Sequence, residues 1–198
     1  MKGRPMRLEI LNTGYTRGTK VLFTMIRMFS GHPAPDAARL VFYRPDFYGD
    51  RAKAFTQEAM RGPSAWPVAD RELMAAYISR KNNNAFCTAA HTATATRAAS
   101  DAARVTAVMT DLDSAPIDEP LRATLRLLAK LTQEGTVTAE DVRAVLATGA
   151  TSEQVEDALA VCAAFNTTNR LADAFGFEQL SPDGFEAGAK YLLKRGYA

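Results

Sequence analysis

Glu72-Leu-Met-Ala-Ala-Tyr-Ile-Ser-Arg-Lys-Asn82-Asn83-Asn84-Ala-Phe-Cys87-Thr-Ala-Ala-His91 is the stretch whose reading decides the fold. It reads as helix, tight polar turn, helix. Glu72 lies on the first helix, the three asparagines make the turn, and Cys87 and His91 open the second helix. Residues four apart stand on one helix face, one turn from each other, so Cys87 and His91 share a face. Cys87 falls in the first turn, where unpaired backbone N–H groups and the helix dipole stabilise a thiolate. A thiolate beside an imidazole, with a carboxylate to orient that imidazole, is an arrangement suited to nucleophilic or redox chemistry.

Working outward, the first of these helices spans Pro67 to Lys81, with proline suited to its first position. Its bulky face is Leu73, Met74, Tyr77 and Ile78. Its small face is Glu72, Ala75, Ala76 and Ser79, so another helix can approach Glu72 closely. The second helix, Ala85 to Ala99, holds no ionised side chain before Arg97, which predicts burial on most sides and a central position. Asn84 is placed as its N-cap.

Upstream, residues 1–19 carry Gly3, Pro5, Gly14 and Gly18 without periodicity and read as an extended arm able to pack on a neighbour. Helices are expected from Lys20 to Ser30, from Asp36 until Pro45 interrupts, and from Phe47 to Met60 before Gly62-Pro63. Downstream, a short helix over Ala102 to Met109 precedes an acidic connector with Asp111, Asp113 and Asp118. Then come Leu121 to Thr132, a helix capped by Thr138 to Leu146, and a long one from the Thr151–Gln154 capping box to Phe175, stopped by Gly176. Ser181-Pro182 opens a last helix to Arg195. Strand signals are absent. The expectation is an all-α fold of about seven to nine helices around the Cys/His helix. No linker divides the chain, which reads as one domain: residues 1–66 an N-terminal helical part, 67–180 the core, 181–198 a C-terminal helix.

With 47% apolar and 23% charged residues, the composition is that of a soluble globular protein. A net charge of +2, with both signs interspersed, points to neither nucleic acid nor an anionic membrane. Two cysteines argue for a reducing, cytoplasmic compartment rather than a disulfide scaffold. The longest apolar run, Val21 to Phe29, is broken by Thr24 and Arg27 and is too short to span a bilayer.

Arg71-Glu72-Leu73, Asn82, Cys87 and His91 together resemble the motif of the AhpD-like alkylhydroperoxidases, within the carboxymuconolactone decarboxylase superfamily. That motif is an Arg-Glu-Leu helix followed by Asn-x-Cys-x-x-Cys-x-x-x-His. Trp66, His91-Thr92-Ala93 and the segment Ala164-Phe165-Asn166-Thr-Thr-Asn169-Arg170-Leu171-Ala172-Asp173 are similar to a subgroup called peroxidase-related. The likeness runs through about two-thirds of the chain. The sequence departs at one position: Asn84 stands where the family has the first cysteine. The resemblance implies an AhpD-like fold, a homo-oligomer, no cofactor, and a peroxide-reducing, antioxidant-type oxidoreductase with Cys87 as reactive thiol and His91 and Glu72 as proton relay.

Asn84 leaves three catalytic outcomes open, beside an inactive one. An external thiol could resolve a sulfenic acid on Cys87. Cys162 could do so if the fold brings the two sulfurs together. Or Glu72 and His91 act without redox chemistry, as an acid/base pair on a small carbonyl or lactone, in a branch of the superfamily that works without the cysteine pair; an inactive binding homologue is the remaining case. Each residue also has a structural reading: Cys87 as a small core residue, His91 as a core histidine, Glu72 as a carboxylate joining two helices. Cys162 lies on the apolar stripe Val155, Leu159, Cys162, Phe165, and reads first as core. That stripe continues through Asn166, Asn169 and Asp173, which reads as a cavity lining or subunit interface approaching the Glu72–His91 site or a symmetry mate, with a capped, half-solvated helix end as the alternative. No metal set is present: Cys87, His91 and Glu72 make at most three ligands, and His32 lies in a distant loop.

Overall fold

The computed structural model describes residues 5–197. Among them are eleven α-helices and no strand: α1 (Ile10–Thr13), α2 (Arg17–Ser30), α3 (Asp36–Tyr43), α4 (Asp50–Arg61), α5 (Val68–Lys81), α6 (Ala85–Ala99), α7 (Ala102–Thr110), α8 (Glu119–Glu134), α9 (Ala139–Leu146), α10 (Ser152–Phe175) and α11 (Pro182–Arg195). The count exceeds the seven to nine expected. α1 has only four residues, too short to carry a periodic signal.

α5 is the most deeply buried helix: every residue from Asp70 to Ser79 is shielded from solvent. It packs against α6, α8 and α10. The faces predicted from α5 are both used, because the bulky Leu73, Met74 and Ile78 meet the α8 and α10 core while alanines and Ser79 let a neighbour come close. α8 contributes Leu121, Leu125 and Leu128, spaced four and three apart as one face of a helix requires. α6 runs beside α5, with α11 on its other side. Trp66 pins the α4–α5 connection to the start of α10, its indole N–H donating to the Gln154 carbonyl at 2.7 Å.

The caps follow the sequence closely. Thr138 with Asp141, and Thr151 with Gln154, form capping boxes opening α9 and α10. The α5–α6 turn uses its three asparagines for three different tasks. Asn82 closes α5, with its side chain donating to the Ile78 carbonyl. Asn83 takes the left-handed conformation (φ 57°), which asparagine tolerates better than most residues. Asn84 caps α6, its Oδ1 accepting from the Cys87 N–H at 2.8 Å.

Two expectations are corrected. From residue 5 on, the arm expected over residues 1–19 is instead folded onto its own chain; residues 1–4 of that expectation lie outside the described residues. Met6, Leu11 and Tyr15 are buried, α1 intervenes, and the Arg7 N–H donates to the Phe175 carbonyl at the end of α10. α2 then starts at Arg17, because the Thr16 hydroxyl accepts from the Thr19 N–H. The helix expected from Phe47 is split: Pro45–Gly49 forms a π-helical turn and α4 begins at Asp50. At Gly49 the backbone passes so close to the Val41 carbonyl that no β-carbon fits. α2 itself has no buried residue. Phe23 packs on Tyr15 and Phe42, while other apolar side chains of the helix face outward, with Met28 69% and Phe29 77% exposed. No described helix is long and apolar enough to cross a membrane.

Candidate functional site

Glu72 is fully buried. A carboxylate there is tolerable only if its charge is met by hydrogen bonds and an opposite charge, and both of its oxygens are so met. Oε2 lies 2.8 Å from His91 Nδ1. Oε1 accepts from Arg61 Nη2 at 2.6 Å and from the Tyr197 hydroxyl at 2.8 Å. Burial alone would raise the carboxyl's pKa; the His91 hydrogen bond and charge, with the Arg61 guanidinium, outweigh it and hold Glu72 below its ordinary value. It is therefore a carboxylate at neutral pH, and the His91 nitrogen facing it carries a proton. That leaves Nε2 as the ring nitrogen the carboxylate does not hold.

Aromatic rings wall the imidazole. Phe165 meets it edge-on, 4.4 Å between ring centres, and Tyr197 stacks nearly parallel at 6.4 Å. Arg61 lies over the Tyr197 ring, 5.0 Å from its centre. Burial first, and then the Glu72 charge, push the Tyr197 phenol well above its ordinary range, so it stays a donor. Arg71, which precedes Glu72, does a different job. Its guanidinium donates to the Ala59 and Gly62 carbonyls and ties the α4–α5 connection.

Cys87 does not join this network. It is 2% exposed and packs with Ala172 and Phe185. Among the described residues no hydrogen bond links its sulfur to His91. Its surroundings oppose the thiolate that the helix start favours. Burial, then the nearby Asp173 carboxylate, push its pKa up to about 12. The backbone N–H that could have stabilised a thiolate is already taken by Asn84.

The α10 residues named from sequence gather around the α5–α6 turn rather than around the Glu72–His91 pair. Asn84 Nδ2 donates to Asp173 at 2.6 Å and to the Asn169 carbonyl at 3.2 Å. Asn169 Oδ1 accepts from Ser79, and Asn166 Oδ1 accepts from Asn82. Asn166 also donates to the Cys162 sulfur at 3.1 Å. Both cysteines are free, and they occupy separate apolar clusters. Arg61 and Tyr197 went unnamed in the sequence. Nothing local marks Arg61, and the one signal for Tyr197 is the glycine before it. No group of three or more His, Cys, Asp or Glu among the described residues could hold a metal ion.

The Cys87 environment makes a prediction for alkaline pH. The folded thiol keeps its proton up to about pH 12, whereas an exposed thiol ionises near 9. Between these values unfolding releases a proton, so rising pH favours the unfolded chain. By pH 10.5 this linkage should have removed about 2 kcal/mol from the wild type that a Cys87→Ala variant does not lose. Urea unfolding of both proteins from pH 8 to 10.5 measures it, and parallel curves would refute the assignment.

These features define a helical protein with an enclosed Arg–Glu–His–Tyr network beneath the α5–α6 hairpin. Residues 47–130, which carry Arg61, Glu72, Cys87 and His91, match the model of the carboxymuconolactone decarboxylase family. The fold resembles that of an uncharacterised peroxidase-related protein from Silicibacter sp. TM1040, with TM-score 0.79 and 21% identity over 94% of this chain and 98% of that one. It is also similar to a peroxidase-related protein with an alkylhydroperoxidase AhpD core from Ralstonia eutropha JMP134, with TM-score 0.76 and 20% identity over 93% and 97% of the two chains. No curated protein matches the chain in sequence. The family match covers 84 of the 198 residues, and the solved structures share the AhpD-like fold over nearly the whole chain.

Proposed function

We propose that this protein is a proton-transfer enzyme of the carboxymuconolactone decarboxylase type, acting on a small carbonyl or lactone substrate. His91 is the general base and Glu72 the carboxylate that orients it. The observation that carries this reading is the 2.8 Å contact between His91 Nδ1 and Glu72 Oε2, with the other Glu72 oxygen held by Arg61 and Tyr197. A carboxylate anchored at both oxygens fixes the imidazole's tautomer and direction, as in other histidine–carboxylate pairs. Nε2 then takes a proton from carbon or from water next to the substrate carbonyl and returns it later in the cycle.

The second reading is a thiol peroxidase, and Cys87 supports it by its place one turn before His91 on α6. In that chemistry the Cys87 sulfur attacks the peroxide O–O bond. The distal oxygen stays on sulfur as a sulfenic acid, the alkoxide leaves as alcohol with the thiol proton, and two external thiols restore Cys87 with release of water and a disulfide. The surroundings of Cys87, burial first and then the Asp173 carboxylate, oppose the ionisation this chemistry needs.

One experiment separates the two. The protein is exposed briefly to near-stoichiometric alkyl hydroperoxide with a sulfenic-acid trap, and Cys87 and Cys162 are mapped by mass. In parallel, wild type and Cys87→Ser are assayed on a panel of small lactones and keto acids, including deuterium exchange at carbon next to the carbonyl. The proposal expects Cys87 to be oxidised no faster than free cysteine, and Cys87→Ser to keep its activity on the panel. Rapid trapping at Cys87, with loss of activity in Cys87→Ser, would replace it with the peroxidase reading.

A further inference from the structure

We propose that Tyr197 is the closing residue of the site: its ring covers His91, its hydroxyl latches onto Glu72, and the Gly196 turn lets it swing away to admit substrate. This rests on the reading of His91 and Glu72 as the reacting pair.

The pair is enclosed as it stands, with the His91 side chain 8% and the Glu72 side chain 0% exposed. That 8% leaves the imidazole only a narrow opening, so seating a substrate carbonyl against it requires one of the surrounding groups to move. Phe165 is ill suited to move, because it sits in the middle of α10 and is wedged in the main core. Arg61 is tied to the Met60 and Leu192 carbonyls as well as to Glu72. Tyr197 differs from both. It follows α11 and is joined to it through Gly196, whose φ of 74° and ψ of −152° suit glycine alone. A β-carbon at Gly196 would push aside the Gln57 amide, whose Oε1 accepts from the Tyr197 N–H.

What holds Tyr197 down is small in number. Its backbone N–H donates to Gln57 Oε1 at 2.7 Å, and its hydroxyl donates to Glu72 Oε1 at 2.8 Å. The Gly196 N–H continues the helix ladder to Leu192 and stays with α11. Opening thus breaks two hydrogen bonds, one ring stack, the Arg61 contact over the ring and the ring's packing on the edge of the core, the scale of a local rather than a global transition. The latch acts on the site as well as on access. With Tyr197 closed, Glu72 Oε1 has two donors and Oε2 is left to His91 alone. With Tyr197 away, the carboxylate loses one donor just as substrate enters. Tyr197 is in this sense a positioning residue, coupling entry to the state of the pair.

Carbethoxylation of histidine by diethyl pyrocarbonate reads access to Nε2 without needing any turnover. His32 is the other histidine and serves as the internal reference within the same molecule. The full-length wild type, Tyr197→Phe and Tyr197→Ala are labelled under native conditions and the His91 and His32 peptides followed by mass, with thermal melts run alongside. We expect His91 in the wild type to react more slowly than His32. Tyr197→Ala should raise the His91 rate by about tenfold, and Tyr197→Phe by a few-fold, since it keeps the ring and loses the latch. His32 should stay unchanged in all three. If Tyr197→Ala does not fold, the near-isosteric Tyr197→Phe carries the test. A His91 rate within about twofold of wild type in every folded variant, or a wild-type His91 that reacts as fast as His32, would overturn the proposal. Because labelling needs no substrate, a silent lactone and keto-acid panel with the expected labelling pattern would reject the proton-transfer reading and leave the closing role standing.

Discussion

Arg61→Met should lower the unfolding free energy by about 3–5 kcal/mol, because it leaves the Glu72 carboxylate buried without its cationic partner. The guanidinium makes the 2.6 Å contact to Glu72 and also supplies donors to the Met60 and Leu192 carbonyls. Methionine matches much of its volume, so packing loss is minor beside the electrostatic loss. For a chain of this size the melting temperature should fall on the order of 10 °C. The sign of the pH dependence can be worked out from Glu72. Its folded pKa lies below the ordinary value, so the stability it brings is present above the ordinary carboxyl range and is lost as pH falls through the folded value. Arg61→Met should therefore lose part of the wild type's acid limb. A double variant Arg61→Met/Glu72→Gln, which removes the stranded charge, should recover much of the loss. Urea unfolding of the three proteins measures this; a single-variant cost under about 1 kcal/mol would show that the pair is hydrated and the burial argument misplaced.

The second large effect is catalytic. His91→Gln should lower the rate on whichever lactone or keto-acid substrate is turned over by about 10²–10⁴-fold, the usual contribution of a positioned general base. Glutamine keeps a donor toward Glu72 and a comparable length, so the fold is retained and the melting temperature separates chemistry from stability. Glu72→Gln should act through His91. An amide no longer favours the tautomer with the proton on Nδ1, so the rate falls and the pH profile shifts even though Glu72 itself does not touch substrate. Full activity in His91→Gln would remove histidine from the mechanism.

Much of this organisation is local and therefore readable in the chain. Helix ends follow from caps a few residues long: Asn84 before Cys87, Thr138 and Thr151 before their boxes, Gly176 after Phe175. The Glu72–His91 pairing was legible because a hairpin of two helices joined by a short asparagine turn brings residues nineteen apart into register. The N-terminal arm was misread because its glycines say where the chain bends, while burial of Met6, Leu11 and Tyr15 depends on the surface that α3 and α10 present to it.

The chemical character of the site is another matter. Sequence by itself determined the all-α class, the helix that carries Cys87 and His91, and the carboxylate opposite His91, since periodicity, capping and hairpin register are short-range properties. Only the tertiary structure decided which groups the carboxylate binds and which form the thiol takes. Tyr197 reaches Glu72 across 125 residues of chain, and Arg61 arrives from the end of another helix. Cys87 stands at a helix start that favours a thiolate, yet Ala172 and Phe185 exclude water from it and Asp173 opposes its charge. Ionisation depends on everything within several ångströms in space, and chain position records only a small part of that surrounding.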